Sequence, residues 1–410
     1  MTSHRMTSRP TISRPTISTR PPTNRAIWLD YLRAFITVLV VAHHSSLAYT
    51  TFASFNKAAY NASTHPIVDT VRSLGLDIFE DFNDVFFMAL MFLISGIFVL
   101  PALGRKGTRT FIRDRFFRLF IPFAICVTLL MPIGYLSSWH LAHGNYNLRS
   151  FFVDFITVEH WPPGPPWFIG ILFLFNLIVA ACYLRCRSAL DQGASRLAAL
   201  AAKPFRIGLG WYVLTLCLFL PLVVPFGASA WIAIGPFAIQ LSRIFLYFGY
   251  FVLGMLLGAA GTNSGILAKD SGFNRKRPLW VACCLLAYSA LMGFGQPIGA
   301  LADHGRINEY QARLLYRSIW ALSCTASCMA FLAFFRRFAQ TARKAWDSLA
   351  ANAYGIYLVH YIFVLWSQFL LLPVALPAVV KFALTFIISL SFSWLLTALV
   401  RKVRILRTYL

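Results

Sequence analysis

The chain has 410 residues, of which 58% are hydrophobic and only 12% are charged, and its formal net charge is +23. Soluble domains carry about 25% charged residues, so a soluble fold of this size would be hard to keep in solution. The positive charge is divided among short segments between apolar runs. We therefore expect a lipid bilayer, and no nucleic acid, as its partner.

Residues 1–25 differ from the rest of the chain. They are mostly Arg, Ser, Thr and Pro and contain no acidic residue. Such a composition cannot bury enough apolar surface to fold. We expect a disordered basic cytoplasmic tail that its arginines hold near anionic lipid, with an organellar transit peptide as the alternative. Residues 26–410 then form the membrane domain.

Apolar runs of the length that a helix needs to cross a bilayer recur through this domain. Barrel strands would need only about ten residues each and would alternate in polarity. The predicted spans are residues 27–50, 79–101, 116–136, 166–184, 208–227, 236–259, 279–298, 314–335, 349–371 and 378–400. The expected fold class is an all-α integral membrane protein of about ten transmembrane helices.

Lysine and arginine indicate how these spans are oriented. With the N-terminus inside, the inside segments hold 28 of the 37 basic residues and the outside segments hold 7, while Arg33 and Arg243 lie within spans. Every inside segment thus follows the positive-inside rule. We expect both termini in the cytoplasm. We also expect Arg243 to pair with an acidic residue at the outer end of a helix.

The first span carries ionisable residues, which are costly in a membrane and so mark a candidate site. Asp30 and Arg33 are three residues apart and can pair on the helix. His44 follows Arg33 by eleven residues, or three turns plus about 20°, so the two face the same way about 16 Å apart. His43 is turned about 100° away from His44. The alternative to a functional histidine is one that bonds a neighbouring helix.

Two further spans carry polar residues of interest. In the ninth span, Tyr357 and His360 share a face at a spacing of three, and His360 is predicted to be buried. In the second span, Asp77, Asp81 and Asp84 share a face at the outer end. A hydrated helix end is favoured there over a metal site, and Asp84 is the deepest candidate.

Other segments suggest binding or anchoring. Arg115 and Arg118 lie one turn apart where the third span begins, and such a pair can grip phosphates, although positive-inside anchoring alone would explain most of this cluster. The proline-rich segment 161–167 ends at Trp167 and predicts a rigid break before a helix. Segment 186–206 is predicted as a short amphipathic helix on the inner surface. The eight cysteines lack metal-site spacing, and we expect reduced core residues.

Five motifs in chain order carry a resemblance to a known family. They are Arg33 followed by ten residues and His44, Phe92-Leu-Ile-Ser95-Gly96, Arg115-Phe-Phe-Arg118, Trp167-Phe168, and Tyr354-Gly-Ile-Tyr357-Leu-Val-His360. Together they resemble the acyltransferase-3 family of membrane acyltransferases, from residue 27 to about 400. Pro166 replaces the apolar residue usual before the tryptophan. The long outer loops are most similar to the glucan-succinylating subgroup, the glucan biosynthesis protein C proteins.

The resemblance implies an O-acyltransferase of a bacterial inner membrane. It would move an acyl group from cytoplasmic acyl-coenzyme A to a hydroxyl, usually on a carbohydrate or glycan at the outer face. Acyl-coenzyme A is then a donor substrate, and no permanently bound cofactor or metal is implied. The sequence carries no indication of oligomeric state.

The resemblance also implies roles for particular residues. Arg115 and Arg118 would hold the donor phosphates, with Arg33 helping there or orienting the first helix. His44 would take the proton from the acceptor hydroxyl or would itself carry the acyl group, and His360 is a second candidate for either role. The candidate substrate-binding residues are Asp84, Trp167 and Tyr357.

Two other classes compete with the enzyme. A transporter or flippase would also use intramembrane charges, but the sequence has no internal repeat of the kind found in many transporters. A structural membrane subunit is the third class, and in that case His44 should be replaceable without loss of activity. No Gly-x-Ser-x-Gly motif is present, so a serine hydrolase is not expected.

Overall fold

A computed structural model describes residues 26–403. The expected N-terminal tail and residues 404–410 lie outside this part of the chain. The helices are α1 Ile27–Ser46, α2 Leu74–Ile97, α3 Val99–Lys106, α4 Thr108–Arg115, α5 Ile121–Ile125, α6 Met131–His143, α7 Leu148–Thr157, α8 Trp167–Ala199, α9 Pro204–Phe226, α10 Ile244–Ala259, α11 Gly272–Arg275, α12 Arg277–Asp303, α13 Glu309–Phe338, α14 Lys344–Leu371 and α15 Ala378–Val400. Strands β1 Trp231–Ile234 and β2 Phe237–Gln240 form an antiparallel hairpin between α9 and α10.

Ten helical runs in residues 26–403 are long and apolar enough to cross a membrane. This confirms the predicted number of spans and the all-α membrane class. Two of the runs are compound: α2 continues into α3, and α4 to α6 form one run that is interrupted by π-helical segments at Phe116–Phe120 and Cys126–Leu130. Such π segments are frequent at functional sites.

The structure corrects three sequence expectations. Residues 237–240, placed in the sixth span, belong to strand β2, and the helix begins only at Ile244. The predicted surface helix at 186–206 is instead largely a continuation of α8, which runs unbroken to Ala199. All eight cysteines are free, but Cys182, Cys186 and Cys217 are exposed rather than core residues.

Helices α2 and α10 pack side by side in the same direction, and glycines permit their close approach. A Cβ atom on Gly96 would meet the carbonyl oxygen of Phe251, and one on Gly254 would meet that of Leu93. Because a backbone carbonyl cannot move aside, only glycine fits these positions. Small residues at such crossings are typical of membrane helix pairs.

We call the end of the bundle at which α1 begins the basic face, and the end at which α1 terminates the loop face. The loop face carries the long connection 47–73. Lys381 donates to Asp69 over 2.7 Å with both side chains 2% exposed, and Arg72 donates to the carbonyl of Ala53 over 2.6 Å. Glu159 accepts hydrogen bonds from the backbone N–H groups of residues 60 and 61, and burial raises the pKa of its carboxyl. The connection is therefore held in one conformation over the bundle.

Candidate active site

Two cavities lie one above the other along α1 and α14. The basic cavity, near the basic face, has a volume of about 440 Å³ and is bordered by Arg33. The imidazole cavity, towards the loop face, has a volume of about 480 Å³ and is bordered by His44. Tyr357 borders both cavities. Arg33 and His44 therefore face the same side of α1, but each belongs to a different cavity.

The basic cavity is a cationic site. Arg33, Arg115, Arg118 and Arg401 line it, and none of the described residues along its wall is acidic. The guanidinium of Arg115 lies 4.8 Å from the ring centroid of Phe111, and its buried Nε atom has no hydrogen-bond partner. A guanidinium fixed by a ring and left with an unused donor is prepared for an anionic ligand. Arg33 is 44% exposed and lies 3.4 Å from Asp30, which confirms their predicted pairing.

The imidazole cavity centres on His44. The Nδ1 atom of His44 lies 2.9 Å from the carbonyl oxygen of Val40 and 3.4 Å from the Nε2 atom of His360. The Nδ1 atom of His360 lies 2.7 Å from the carbonyl oxygen of Tyr357. A carbonyl can only accept, so these contacts assign the protons to Nδ1 of both rings. The Nε2 atom of His44 is then a bare acceptor.

His360 itself does not border the cavity. Its side chain is fully buried behind His44, and its ring centroid lies 5.9 Å from that of Tyr357. Of the two catalytic roles suggested for it, direct contact with substrate therefore does not fit the geometry. Its bare Nε2 faces the Nδ1–H of His44, an arrangement in which His360 could orient the neighbouring ring.

A second layer of polar residues supports His44. Gln368 donates to the carbonyl of His44 over 3.0 Å and accepts from Nε2 of His65 over 2.7 Å. His65 comes from the connection 47–73, and burial lowers its pKa to about 4. His43 is turned away from His44 and lies 3.6 Å from Glu80. Gln368 and His65 carry no signal in the sequence, because only the fold brings them to α1.

An ion pair between Asp84 and Arg243 forms another part of the wall of the imidazole cavity. Arg243 donates to both carboxylate oxygens of Asp84 and also to its carbonyl. The expected partnership of Arg243 with an outer-end acid is thus confirmed. Asp84 and Arg243 both border the cavity, and their charges compensate each other. Arg243 is buried and the Asp84 side chain is 38% exposed, so the pair adds polarity to this wall without adding a net charge.

Aromatic rings complete the imidazole cavity. The ring of Trp167 lies 5.8 Å from that of Tyr247 in a stacked arrangement and 5.8 Å from that of Trp231 edge-on. Trp231 begins β1, so the hairpin that interrupts the sixth span supplies part of this wall, together with Gln240. Ring faces with a few polar groups are the composition of a small-molecule pocket.

The proline-rich segment before α8 is strained where it meets the cavity. His160 and Trp161 have positive φ angles of 56° and 58°, a region that side chains other than glycine rarely adopt. His160 borders the cavity, and the indole N–H of Trp161 donates over 3.0 Å to the carbonyl of Val127 in the second π-helical segment. Strain of this kind persists where surrounding contacts enforce it, which is common at binding sites.

The model of an acyltransferase domain family matches residues 26–398. The chain belongs to the acyltransferase-3 family. It is similar to the glucans biosynthesis protein C of Salmonella schwarzengrund (strain CVM19633), with 23% identity over 282 residues that cover 67% of this chain and 68% of that protein. No solved structure matches the chain significantly.

Family membership establishes the protein as a multi-pass membrane acyltransferase, and it favours the enzyme over the transporter alternative. Within residues 26–403 no group of three His, Cys, Asp or Glu residues is arranged to hold a metal ion. The side chains that border the two cavities carry imidazole, guanidinium, hydroxyl and amide groups.

Proposed function

We propose that the protein transfers an acyl group from cytoplasmic acyl-coenzyme A to a hydroxyl of a carbohydrate or glycan at the outer face of a bacterial inner membrane. In this proposal the basic face and both termini lie in the cytoplasm, as the positive-inside rule requires. The observation that supports it most directly is the pair of cavities, one cationic and one centred on a bare imidazole nitrogen, which share Tyr357.

The basic cavity suits the donor because coenzyme A carries several phosphates on a long flexible arm. Planar guanidinium groups bind phosphate oxygens through two parallel hydrogen bonds. Arg115 and Arg118 would hold the phosphates, with Arg33 on the opposite wall. The pantetheine arm would then extend past Tyr357 and present the thioester to His44. No permanently bound cofactor is part of the proposal.

The imidazole cavity suits a neutral polyhydroxyl acceptor. Trp167 offers a ring face, and Asn61, Ser63 and Gln240 offer hydrogen-bonding groups on the side of the loop face. The compensated pair of Asp84 and Arg243 adds polarity without a net charge. The related protein from Salmonella is named for glucan biosynthesis, which is consistent with a glycan acceptor here.

The transfer can be written around Nε2 of His44. This atom takes the proton of the acceptor hydroxyl as the oxygen attacks the thioester carbonyl, and an ester C–O bond forms. The C–S bond then breaks, and the thiolate of coenzyme A receives the proton from His44. A base of this kind contributes about 10²–10⁴-fold to a rate. In the alternative route His44 first carries the acyl group itself.

Turnover of acyl-coenzyme A by purified protein, with a crude envelope-sugar fraction as acceptor, tests the proposal. We expect His44→Ala to abolish coenzyme A release while the donor still binds. We expect Arg115→Gln to weaken donor binding by about tenfold or more, because a hydrogen bond to a charged group is lost. The exposed Arg187, which does not border the basic cavity, provides the control Arg187→Gln.

The outcomes separate the parts of the proposal. Release that continues in His44→Ala would remove His44 from the mechanism. Equal donor binding by wild type and Arg115→Gln would remove the basic cavity as the donor site. Failure of folded wild type to bind any acyl-coenzyme A would overturn the choice of donor, although the protein would remain an acyltransferase.

A further inference from the structure

A third cavity lies on the other side of α1, away from both reaction cavities. This aromatic cleft has a volume of about 610 Å³. Its floor is α13 with Phe331 and Phe335, one wall is α12 with Leu285, and the other is α1 with Phe35. Phe82 of α2 also borders the cleft. Residues Tyr31, Phe334, Phe338, Ala339, Thr341, Arg343 and Trp346 also border the cleft.

The aromatic cleft cannot serve the donor path described above. Tyr31 and Phe35 border it, whereas Arg33 borders the basic cavity. Residues two apart on a helix point about 200° apart. Helix α1 therefore stands between the cleft and the reaction cavities, and an occupant of one does not reach the other.

The cleft opens to the side of the bundle that would face lipid. Leu285 is 63% exposed and Phe334 is 46% exposed, so an occupant could enter laterally. The floor from Ala330 to Phe338 covers eight helical steps, or about 12 Å. The hydrocarbon region of one leaflet is about 15 Å deep, half of a bilayer core. The length of the cleft thus matches a lipid acyl chain in one leaflet.

The mouth of the cleft at the basic face is cationic. Helix α13 ends at Phe338, and α14 begins at Lys344. Arg337, Arg343 and Lys344 are all exposed at this turn, and Arg343 itself borders the cleft. The nearby Asp347 accepts a hydrogen bond from the hydroxyl of Tyr31 over 3.1 Å. Three cations against one carboxylate, at the depth of lipid headgroups, favour an anionic headgroup.

We propose that the aromatic cleft binds one anionic phospholipid, with an acyl chain along α13 and its phosphate against Arg343. The chain would contact Phe35 on α1 and Trp346 on α14, the helices that carry His44 and His360. A bound lipid therefore braces the two imidazole-bearing helices from behind. This inference does not depend on the donor or the acceptor of the reaction.

Native mass spectrometry of purified full-length protein, incubated with phosphatidylglycerol or with phosphatidylcholine of the same chains, tests the proposal. We expect wild type to retain phosphatidylglycerol preferentially, and Arg343→Gln to reduce that retention about fivefold, as the loss of one cation near the headgroup implies. We expect Leu285→Trp, which fills the cleft, to reduce retention of either lipid.

The neighbouring residue supplies a matched control. Leu286 is 71% exposed on the same helix and does not border the cleft, so Leu286→Trp should retain lipid as wild type does. Equal retention by the two tryptophan variants would overturn the cleft as the binding site. Equal retention of the two lipids by wild type would overturn an anionic phospholipid as the occupant. Circular dichroism confirms that each variant is folded before comparison.

Discussion

The Nε2 atom of His360 lies 3.4 Å from the Nδ1 atom of His44, although the two residues are 316 positions apart in the chain. Each ring is also tied through its own Nδ1 to a backbone carbonyl of its helix. The protons are thereby fixed on Nδ1, and His44, whose Nε2 is left bare, borders the imidazole cavity. A proton that arrives on that nitrogen makes the ring cationic, and the lone pair of His360 then faces its Nδ1–H.

Replacement of His360 should therefore slow the chemical step without affecting donor binding. We expect His360→Gln to lower kcat about tenfold, the effect of losing one hydrogen bond of about 1.5 kcal/mol to a charged group. The KM for the donor should stay unchanged. The exposed His304 gives the control His304→Gln, with wild-type kinetics. A rise in donor KM at constant kcat would contradict the positioning role.

Tyr357 should keep the two cavities apart when no donor is bound. Its hydroxyl donates to the carbonyl of Pro165 and so fixes the ring between them. We expect Tyr357→Ala to join the cavities and admit water to the thioester, which would raise acyl-coenzyme A hydrolysis in the absence of acceptor several-fold. Tyr357→Phe keeps the ring and should hydrolyse the donor nearly as slowly as wild type. Equal hydrolysis by the alanine and phenylalanine variants would contradict this role.

His65 should make the stability of the protein depend on pH. Its pKa is lowered by burial to about 4 in the folded protein, against about 6.5 in an unfolded chain. Between these values the unfolded chain binds a proton that the folded one does not. The free energy of unfolding should therefore fall as pH falls from 6.5 to 4, by at most about 1.4 kcal/mol per pH unit.

Thermal unfolding in detergent from pH 7 to pH 4.5 measures this effect. We expect His65→Gln to be less stable than wild type at pH 7, because the hydrogen bond between the His65 ring and the side chain of Gln368 is lost. The variant should nevertheless lose less stability than wild type on acidification. His304→Gln should follow the wild-type profile, since that ring is exposed. Parallel pH profiles for wild type and His65→Gln would show that another group is responsible.

Two glycine-to-alanine substitutions should affect the thermal unfolding midpoint differently. A Cβ atom on Gly254 would collide with the carbonyl of Leu93, whereas one on Gly299 would meet no atom within 4 Å. We expect Gly254→Ala to lower the thermal unfolding midpoint, because α2 and α10 must separate. We expect Gly299→Ala to leave it unchanged or raise it, since alanine has the better helix propensity. A destabilised Gly299→Ala with a stable Gly254→Ala would contradict the packing described.

Much of the fold follows from hydropathy alone. The ten spans are long apolar runs, and their number was predicted because lipid tolerates only helices that satisfy their own backbone. The hairpin was missed because Phe237-Ala-Ile-Gln240 is as apolar as the helix that follows. The extension of α8 past Arg185 was missed because polar residues usually signal the end of a span, whereas here the helix continues on the basic side.

The candidate site was predictable where its residues are ionisable and lie within spans. His44, Arg115 and Tyr357 all border cavities, although their chemical roles remain predictions. His65 could not be identified, because a histidine in a loop, unlike one in a membrane span, is not energetically costly and so does not stand out in the sequence. Gln368 could not be identified either, since its hydrogen-bond partners come from α1 and from the 47–73 connection. Long-range pairing of this kind has no periodic signal along one chain.

The hairpin between α9 and α10 supplies part of the wall of the imidazole cavity, the proposed acceptor site. Trp231 and Ala233 of β1 border the imidazole cavity, whereas Ile232 and Ile234 point away from it. The hairpin contains neither His44 nor His360, and its second strand packs on the bundle, where the ring of Phe237 lies 5.0 Å from that of Phe123. Under the proposed function, exchange of residues 231–240 between relatives would change the acceptor preference while the two histidines stay the same, so one scaffold could serve several acceptors.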